Sequence, residues 1–229
     1  MKDFKESMLN KKRGKTQKSE VYYNAYSHMF STFNTLDKLK ILEIGVREGG
    51  GLYTLKEHFP NSIIVGLDID TNCKQWEDVN ENIFVRIGDQ SNYNILQSII
   101  DEFSTFDIII DDGSHICSHQ IKSFDFLFKK LNPGGIYAVE DLHTSYWTSF
   151  RDQSISAIDY FKDLSLLPTK RWASNTSRSE VEHITELDEI EYRIDSIHFY
   201  DSICFIRKTK TDIDLNSLIT NYKQYFVTQ

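Results

Sequence analysis

Prolines are scarce in this chain. Only Pro60, Pro133 and Pro168 occur among 229 residues, and they do not cluster. A Pro-rich interdomain linker is therefore excluded, and a single domain over residues 1–229 is the economical expectation. Cysteines are equally few. Cys73, Cys117 and Cys204 show no paired spacing, and CxxC does not occur. This removes zinc-ribbon and dithiol redox readings and suits free thiols in a reducing cytoplasm. No apolar run nears the ~18 residues a membrane span needs. The N-terminal MKDFKESMLNKKRGK has no apolar stretch, so no signal peptide is expected. Internal repeats and low-complexity blocks are also missing, and alanines are few.

Charge is present but unevenly spread. The net charge is −8, yet residues 1–20 carry +4, which leaves −12 on the rest. Phosphate recognition needs a basic face, so the acidic body argues against a nucleic-acid partner. The basic N-terminus reads as a solvated arm that orders near the active site, with a polyanion-binding tail as the alternative.

Strand and helix patterns alternate along residues 40–139. Lys40–Ile44 (KILEI), Ser62–Asp68 (SIIVGLD), Asn82–Ile87 (NIFVRI), Phe106–Ile110 (FDIII) and Ile136–Val139 read as strands. Gly49–Phe59, Tyr93–Phe103 and Ile116–Leu131 read as helices, and Asn132–Gly135 as a turn. Five strands separated largely by helices imply a parallel α/β sheet, with ligands beyond the strand carboxyl ends. Polar residues collect there: Glu43 and Gly45, then Asp68, then Asp89 with Gln90, then Asp111 and Asp112, then Glu140 and Asp141. After residue 141 the pattern becomes polar and irregular. Residues 142–180 read as an insertion or lid, with a helix near Ser154–Leu167. Ile190–Phe199 and Ile203–Lys208 read as an antiparallel hairpin turning at Asp201–Ser202, followed by a last helix at Leu215–Tyr225.

The turn LEIGVREGGGL (Leu42–Leu52) supplies a strand, glycines and a helix start. Glycines allow close backbone approach, and a helix N-terminus offers free N–H groups. The pattern is not GxGxxG: Arg47 stands where a second glycine would be, and the glycines are displaced to Gly49–Gly51. Acids carry more weight. Asp68 can accept ribose hydroxyls, and Asp89 or Gln90 can meet an adenine amino group. A row of acids suits a sulfonium and an amino group better than a pyrophosphate, which favours S-adenosylmethionine over NAD. The candidate cofactor contacts are thus Glu43, Gly45, Gly49, Asp68, Asp89, Gln90 and Asp111. Asp112, Glu140 and Asp141 sit at two adjoining strand ends. Unpaired acids so close repel, and a divalent cation (Mg²⁺, with Mn²⁺ or Ca²⁺ as substitutes) or a set of caps and ion pairs resolves this. His115 lies three residues after Asp112 and is a natural proton acceptor. His143 is a second candidate base. His119 reads as a structural histidine, with a zinc pair to His115 ranked below that.

The sub-pattern IGDQSN…FDIIIDDGSH…LNPGG…VEDLHTSYW, with GKTQKSE…YNAYSHMF upstream, resembles the metal-dependent sugar O-methyltransferases of the mycinamicin and macrocin type and related polysaccharide-modifying enzymes. The resemblance covers residues ~40 to ~208 for the fold. It implies a Rossmann-like class I methyltransferase fold: a mostly parallel seven-stranded sheet with a final antiparallel hairpin. It implies S-adenosylmethionine and Mg²⁺ as cofactors, Asp112, Glu140 and Asp141 as metal ligands, and His115 as the base. Residues 1–35 would cover the cofactor. The acceptor would be a sugar or nucleotide-sugar, and the resemblance also implies homo-oligomerisation, which nothing in the residues specifies. The alanine-poor composition points to a surface polysaccharide precursor, with a glycosylated metabolite or a capsule phosphoramidate as alternatives. A cephalosporin-hydroxylase-like activity and a non-catalytic binding protein are the competing classes. Tyr146, Trp147, Phe150 and Trp172 are candidates to stack on a sugar ring or to pack the insertion onto the body.

Overall fold

Ile41 and Leu42 are consecutive, apolar and fully buried because strand β1 (Lys40–Ile44) is covered on both faces. The same holds for β2 (Ile63–Asp68) and β4 (Phe106–Asp111), whose apolar runs put successive side chains into opposite cores. The structure is a computed structural model and describes residues 3–16, 18–168 and 193–210. With β3 (Ile83–Ile87), β5 (Leu131–Val139), β6 (Ile194–Phe199) and β7 (Cys204–Lys208), the described strands form one sheet in the order β3-β2-β1-β4-β5-β7-β6. The first five run parallel, while β7 pairs antiparallel with both β5 and β6. This is the mostly parallel seven-stranded sheet with a final antiparallel hairpin that the sequence implies.

Helices cover both faces. On one side α4 (Tyr93–Phe103), α5 (Cys117–Leu127) and α6 (Ala157–Leu164) pack on Leu42, Ile44, Val65 and Leu67. On the other, α1 (Phe4–Asn10), α2 (Glu20–Phe30) and α3 (Gly50–His58) pack on Ile41, Ile64, Ile108 and Ile110. Caps begin several helices where expected: the Asn92 side chain accepts from Asn94 N–H, and Ser156 from Asp159 N–H. The N-terminal arm is ordered. Phe4 packs edge-on against Phe30 and His58, and Ser7 Oγ lies 3.0 Å from His58 Nδ1.

Boundaries shift where local chemistry overrides periodicity. The helix expected to reach Leu131 ends at Leu127 and tightens into a 3-10 turn over Phe128–Lys130. The expected Asn132–Gly135 turn is a bulge inside β5: Leu131 pairs with Phe106, and pairing resumes at Ile136 with Ile108. Asn132 Nδ2 donates to Asp107 Oδ1 (2.7 Å) to hold it. The hairpin forms with β6 starting at Ile194; its expected start at 190–192, Trp172 and the last helix over 215–225 lie outside the described residues.

Gly45 ends β1 with φ +94°, and a Cβ there would collide with the Asp112 carbonyl oxygen. That contact joins the β1 and β4 ends, where Asp112 N–H also donates to Ile44 O (2.9 Å). Gly45→Ala is therefore expected to destabilise the fold by at least about 1–3 kcal/mol, the usual cost of a strained backbone conformation. Urea unfolding checks this, and an unchanged midpoint would contradict it.

Candidate functional site

Parallel register brings five strand ends to one edge of the sheet. Ile44 pairs with Leu67 and Asp111, Asp68 with Ile87, and Asp111 with Val139. Two clefts open along that edge. The larger, about 720 Å³, is lined by Gly45, Leu67, Asp68, Asp89, Gln90, Ser114 and Ile116 among others. The smaller, about 380 Å³, lies beneath the N-terminal segment and is lined by Lys15, Thr16, Lys18, Tyr22, Glu43, Glu140 and His143 among others. Gly45, Arg47, Glu48, Asp112 and Asp141 line both, so the clefts meet there.

The larger cleft has the size of a small-molecule site. Asp68 at its rim accepts backbone N–H bonds from Val46 (2.8 Å) and Arg47 (2.9 Å) through Oδ2 and from Asp70 (2.9 Å) through Oδ1. A carboxylate has about four lone-pair sites, so capacity remains for ligand hydroxyls. Asp89 Oδ1 accepts from Ser91 N–H (2.7 Å), which holds its carboxyl below the usual range. Gln90 and Asp111 differ from this pattern. Gln90 Nε2 donates to Asp111 (2.9 Å), its Oε1 accepts from Ser114 N–H (2.8 Å), and Ser123 Oγ also donates to Asp111 (2.5 Å). Asp111 is fully buried and does not line either cleft, so it braces the cleft wall from behind.

The glycine triplet serves the chain's own packing. A Cβ on Gly49 would meet the Trp76 ring, one on Gly50 the Lys15 carbonyl, and one on Gly51 the Glu43 carboxylate. Lys15 bridges to Gly49, and Lys15 N–H donates to Glu48 O (3.1 Å). The N-terminal segment thus lies across the start of α3 as a strap, and the triplet provides its bed. Arg47, at the position where a glycine was expected, does adopt the left-handed conformation (φ 49°). Its N–H is held by Asp68 and its carbonyl accepts from Trp76 Nε1 (3.1 Å).

Lys18 on the strap reaches into the acids. Its Nζ donates to Asp112 Oδ2 (2.6 Å) and Glu140 Oε1 (2.5 Å). Burial alone would lower the ammonium's pKa, but Asp112, Glu140 and Glu43 overcome it and hold it well above the ordinary lysine value. Tyr26 OH also donates to Glu140 Oε1 (2.5 Å). Burial and then the Asp112 charge still push Glu140 up to about 7 against the pull of Lys18. Asp141 points the other way, accepting from Tyr22 OH (2.7 Å) through Oδ1. His115 Nε2 lies 3.5 Å from Asp141 Oδ2, and ligand atoms of Asp112, His115 and Asp141 all fall within 4.8 Å of one another. The structure therefore gathers Asp112, Asp141 and His115, while Glu140 faces inward to Lys18 and Tyr26. His119 bonds Ser114 (Nδ1 to Oγ, 3.0 Å) and is not part of that group. His143 Nδ1 lies 2.6 Å from Ser202 Oγ, and its ring meets Trp147 edge-on at 4.9 Å.

Lys18, Tyr22 and Tyr26 were not singled out from the sequence. Tyr22 and Tyr26 lie one turn apart on α2, a spacing readable in the sequence, whereas Lys18 precedes the helix and carries no such signal.

No protein-family model matches the chain. A tetracenomycin-C rhamnosyl 2'-O-methyltransferase of Streptomyces olivaceus is 31% identical over 82% of this chain and 50% of its own length. A mycinamicin VI 2''-O-methyltransferase of Micromonospora griseorubida is 33% identical over 76% of this chain and 45% of its own. A solved methyltransferase of the mycinamycin pathway, in complex with Mg, SAH and mycinamycin VI, superposes with a TM-score of 0.77 at 27% identity, covering 96% of this chain and 59% of that one. The chain spans about half the length of the curated relatives it matches.

Glu43 is 2% exposed, its Oε2 has no hydrogen-bond partner among the described residues, and burial, opposed by Lys18, raises its pKa from 4.5 to about 8. Between those values the folded chain holds a proton that the unfolded chain has released, so stability falls as pH rises across that window. Glu43→Gln should therefore stabilise the ligand-free chain at pH ~8.5, on the order of a few kcal/mol, and leave it nearly unchanged at pH ~4. Urea unfolding at both pH values checks this; equal effects at the two would contradict it.

Proposed function

The chain belongs to the class I methyltransferase fold family, and we propose that it transfers a methyl group from S-adenosylmethionine to a sugar hydroxyl with the help of a divalent cation. The supporting observation is the junction of two clefts at Asp112 and Asp141, with the His115 and His143 imidazoles both beside Asp141. One cleft has the acids and apolar walls that suit a nucleoside; the other opens toward His143 and the exposed Trp147 ring.

When bound, S-adenosylmethionine supplies an electrophilic methyl, and a divalent cation lowers the pKa of a coordinated hydroxyl. The residues divide the remaining work. Asp68 accepts ribose hydroxyls, and Asp89 meets the adenine amino group. Glu43, at the wall of the smaller cleft, offers its unpartnered oxygen to the positive amino end. Asp112, Glu140 and Asp141 would hold the cation at the junction. An imidazole takes the acceptor's proton as the O–C bond forms and the S–C bond breaks, which leaves S-adenosylhomocysteine. His115 is the base expected from sequence; its place among the potential ligands favours a second reading in which His143 takes the proton. Trp147, about half exposed beside His143, provides a face for a sugar ring. A surface polysaccharide precursor or a glycosylated metabolite fits this acceptor class. The strap keeps water from the donor end, through Lys15 and Thr16 at the mouth of the smaller cleft.

Incubation with S-adenosylmethionine, Mg²⁺ and a panel of nucleotide sugars should release S-adenosylhomocysteine, and exhaustive EDTA should stop it. His115→Ala should lower turnover about 10²–10⁴-fold, the range for a lost acid–base group. Turnover unaffected by either treatment would refute the reading. Separately, Asp68→Ala should weaken S-adenosylmethionine binding by ~1–3 kcal/mol in calorimetry; unchanged affinity would remove Asp68 from the site.

A further inference from the structure

We propose that His119 reads the nucleobase of the methyl donor, its Nε2–H donating to N7 of an adenine whose 6-amino group meets Asp89. This rests on the donor reading above and adds the residue that, with Asp89, decides which base the larger cleft accepts.

His119 lies in the first turn of α5 and lines the larger cleft with Asp89, Gln90 and Ser114. One side of its ring is already held. Nδ1 lies 3.0 Å from Ser114 Oγ, and that oxygen accepts from Ile116 N–H (3.3 Å). The Ser114 hydroxyl hydrogen has no other acceptor among the described residues, so it goes to Nδ1. Nδ1 is then the accepting nitrogen, and Nε2 carries the ring hydrogen. No described residue bonds Nε2. Asp152 also lies within electrostatic reach of His119, but both of its oxygens accept from Ser118.

Asp89 faces the same cleft with the opposite polarity. The Ser91 N–H (2.7 Å to Oδ1) does most to keep its carboxyl below the usual range against burial, and the His119 and Lys122 charges act in the same direction. Asp89 and His119 therefore lie within electrostatic reach of each other, yet among the described residues no ion pair joins them. An acceptor and a donor in one cleft match the amino hydrogen and the N7 lone pair of adenine. The Gln90 N–H follows Asp89 directly and has no acceptor among the described residues, so that strand end can serve N6 and N1 together. The ring nitrogen that remains beside the amino group is N7.

Apolar surface completes the fit. Ile69 follows Asp68 and is 71% exposed, and it lines the cleft together with Leu67, Cys73 and Ile116. A flat base seated there covers surface that is otherwise wet. The polar pair then supplies the selection. A 6-oxo purine presents two acceptors where adenine presents a donor and an acceptor, so its oxygen would face the Asp89 carboxylate without a hydrogen between them.

The test is calorimetry of two ligands on the full chain: S-adenosylhomocysteine and its 7-deaza analogue, in which C–H replaces N7. Wild type should bind the analogue about tenfold more weakly, as the loss of one hydrogen bond with its donor left unpaired does. His119→Ala should bind S-adenosylhomocysteine about tenfold more weakly than wild type does, and should bind the two ligands within about twofold of each other. The two losses are then one loss, counted from either side of the same bond. Equal affinity of wild type for both ligands overturns the assignment, and so does a tenfold preference that survives in His119→Ala. The wild-type comparison decides even if the variant fails to fold. No binding of S-adenosylhomocysteine by wild type would sink the donor reading and this assignment with it; binding that ignores N7 would sink this assignment alone.

Discussion

The ion pair network centred on Lys18 is the constraint on which the site depends. Three carboxylates meet where β1, β4 and β5 end, and parallel register makes that meeting unavoidable. The repulsion must be answered before the edge can close. One ammonium answers part of it, bonded to Asp112 and Glu140 at once. Lys18 can reach them only because the strap crosses α3 over a run of glycines. The strap, the glycine triplet and the acids are therefore one interdependent unit.

Much of the fold was legible in the sequence. Short continuous apolar runs, helix patterns and the turn residues give the alternation from β1 to β5, and Tyr93–Phe103 falls on the helix found there. Acids at strand ends mark the functional edge because parallel strands with two covered faces leave no other place for them. Other features were hidden because they depend on long-range partners. Asp111 and Asp112 are adjacent and look equivalent, yet pleating sends Asp111 into the wall toward Gln90 and Ser123. The glycines at 49–51 look like a ligand cradle, but the atoms they admit are Trp76, Lys15 and Glu43. No local pattern reveals Lys18, whose partners lie 94 and 122 residues away.

Backbone strain concentrates where the chemistry would be. Arg47, His115, Asp141 and Ser202 all take left-handed conformations, and each lines a cleft or bonds a residue that does. Such conformations cost roughly 1–2 kcal/mol each for non-glycine residues and persist only where surrounding bonds hold them. Here Asp68 holds Arg47, Tyr22 holds Asp141, and the Thr144 hydroxyl donates to the His115 carbonyl (3.2 Å). The strained turns aim side chains that regular strand geometry would send elsewhere.

The span between Lys18 and Glu140 also orders the assembly of the molecule. Contacts separated by 122 residues close late, because the loop between them must lose its freedom before the contact contributes anything. The strands from β1 to β5 can pair with near neighbours first, whereas the strap gains its seat only once the β4 and β5 ends stand side by side. The strap's seat therefore depends on a sheet edge that the pairing of β4 with β5 must already have built. A chain whose sheet is intact but whose strap is undocked would keep most of its secondary structure while exposing a cluster of uncompensated carboxylates.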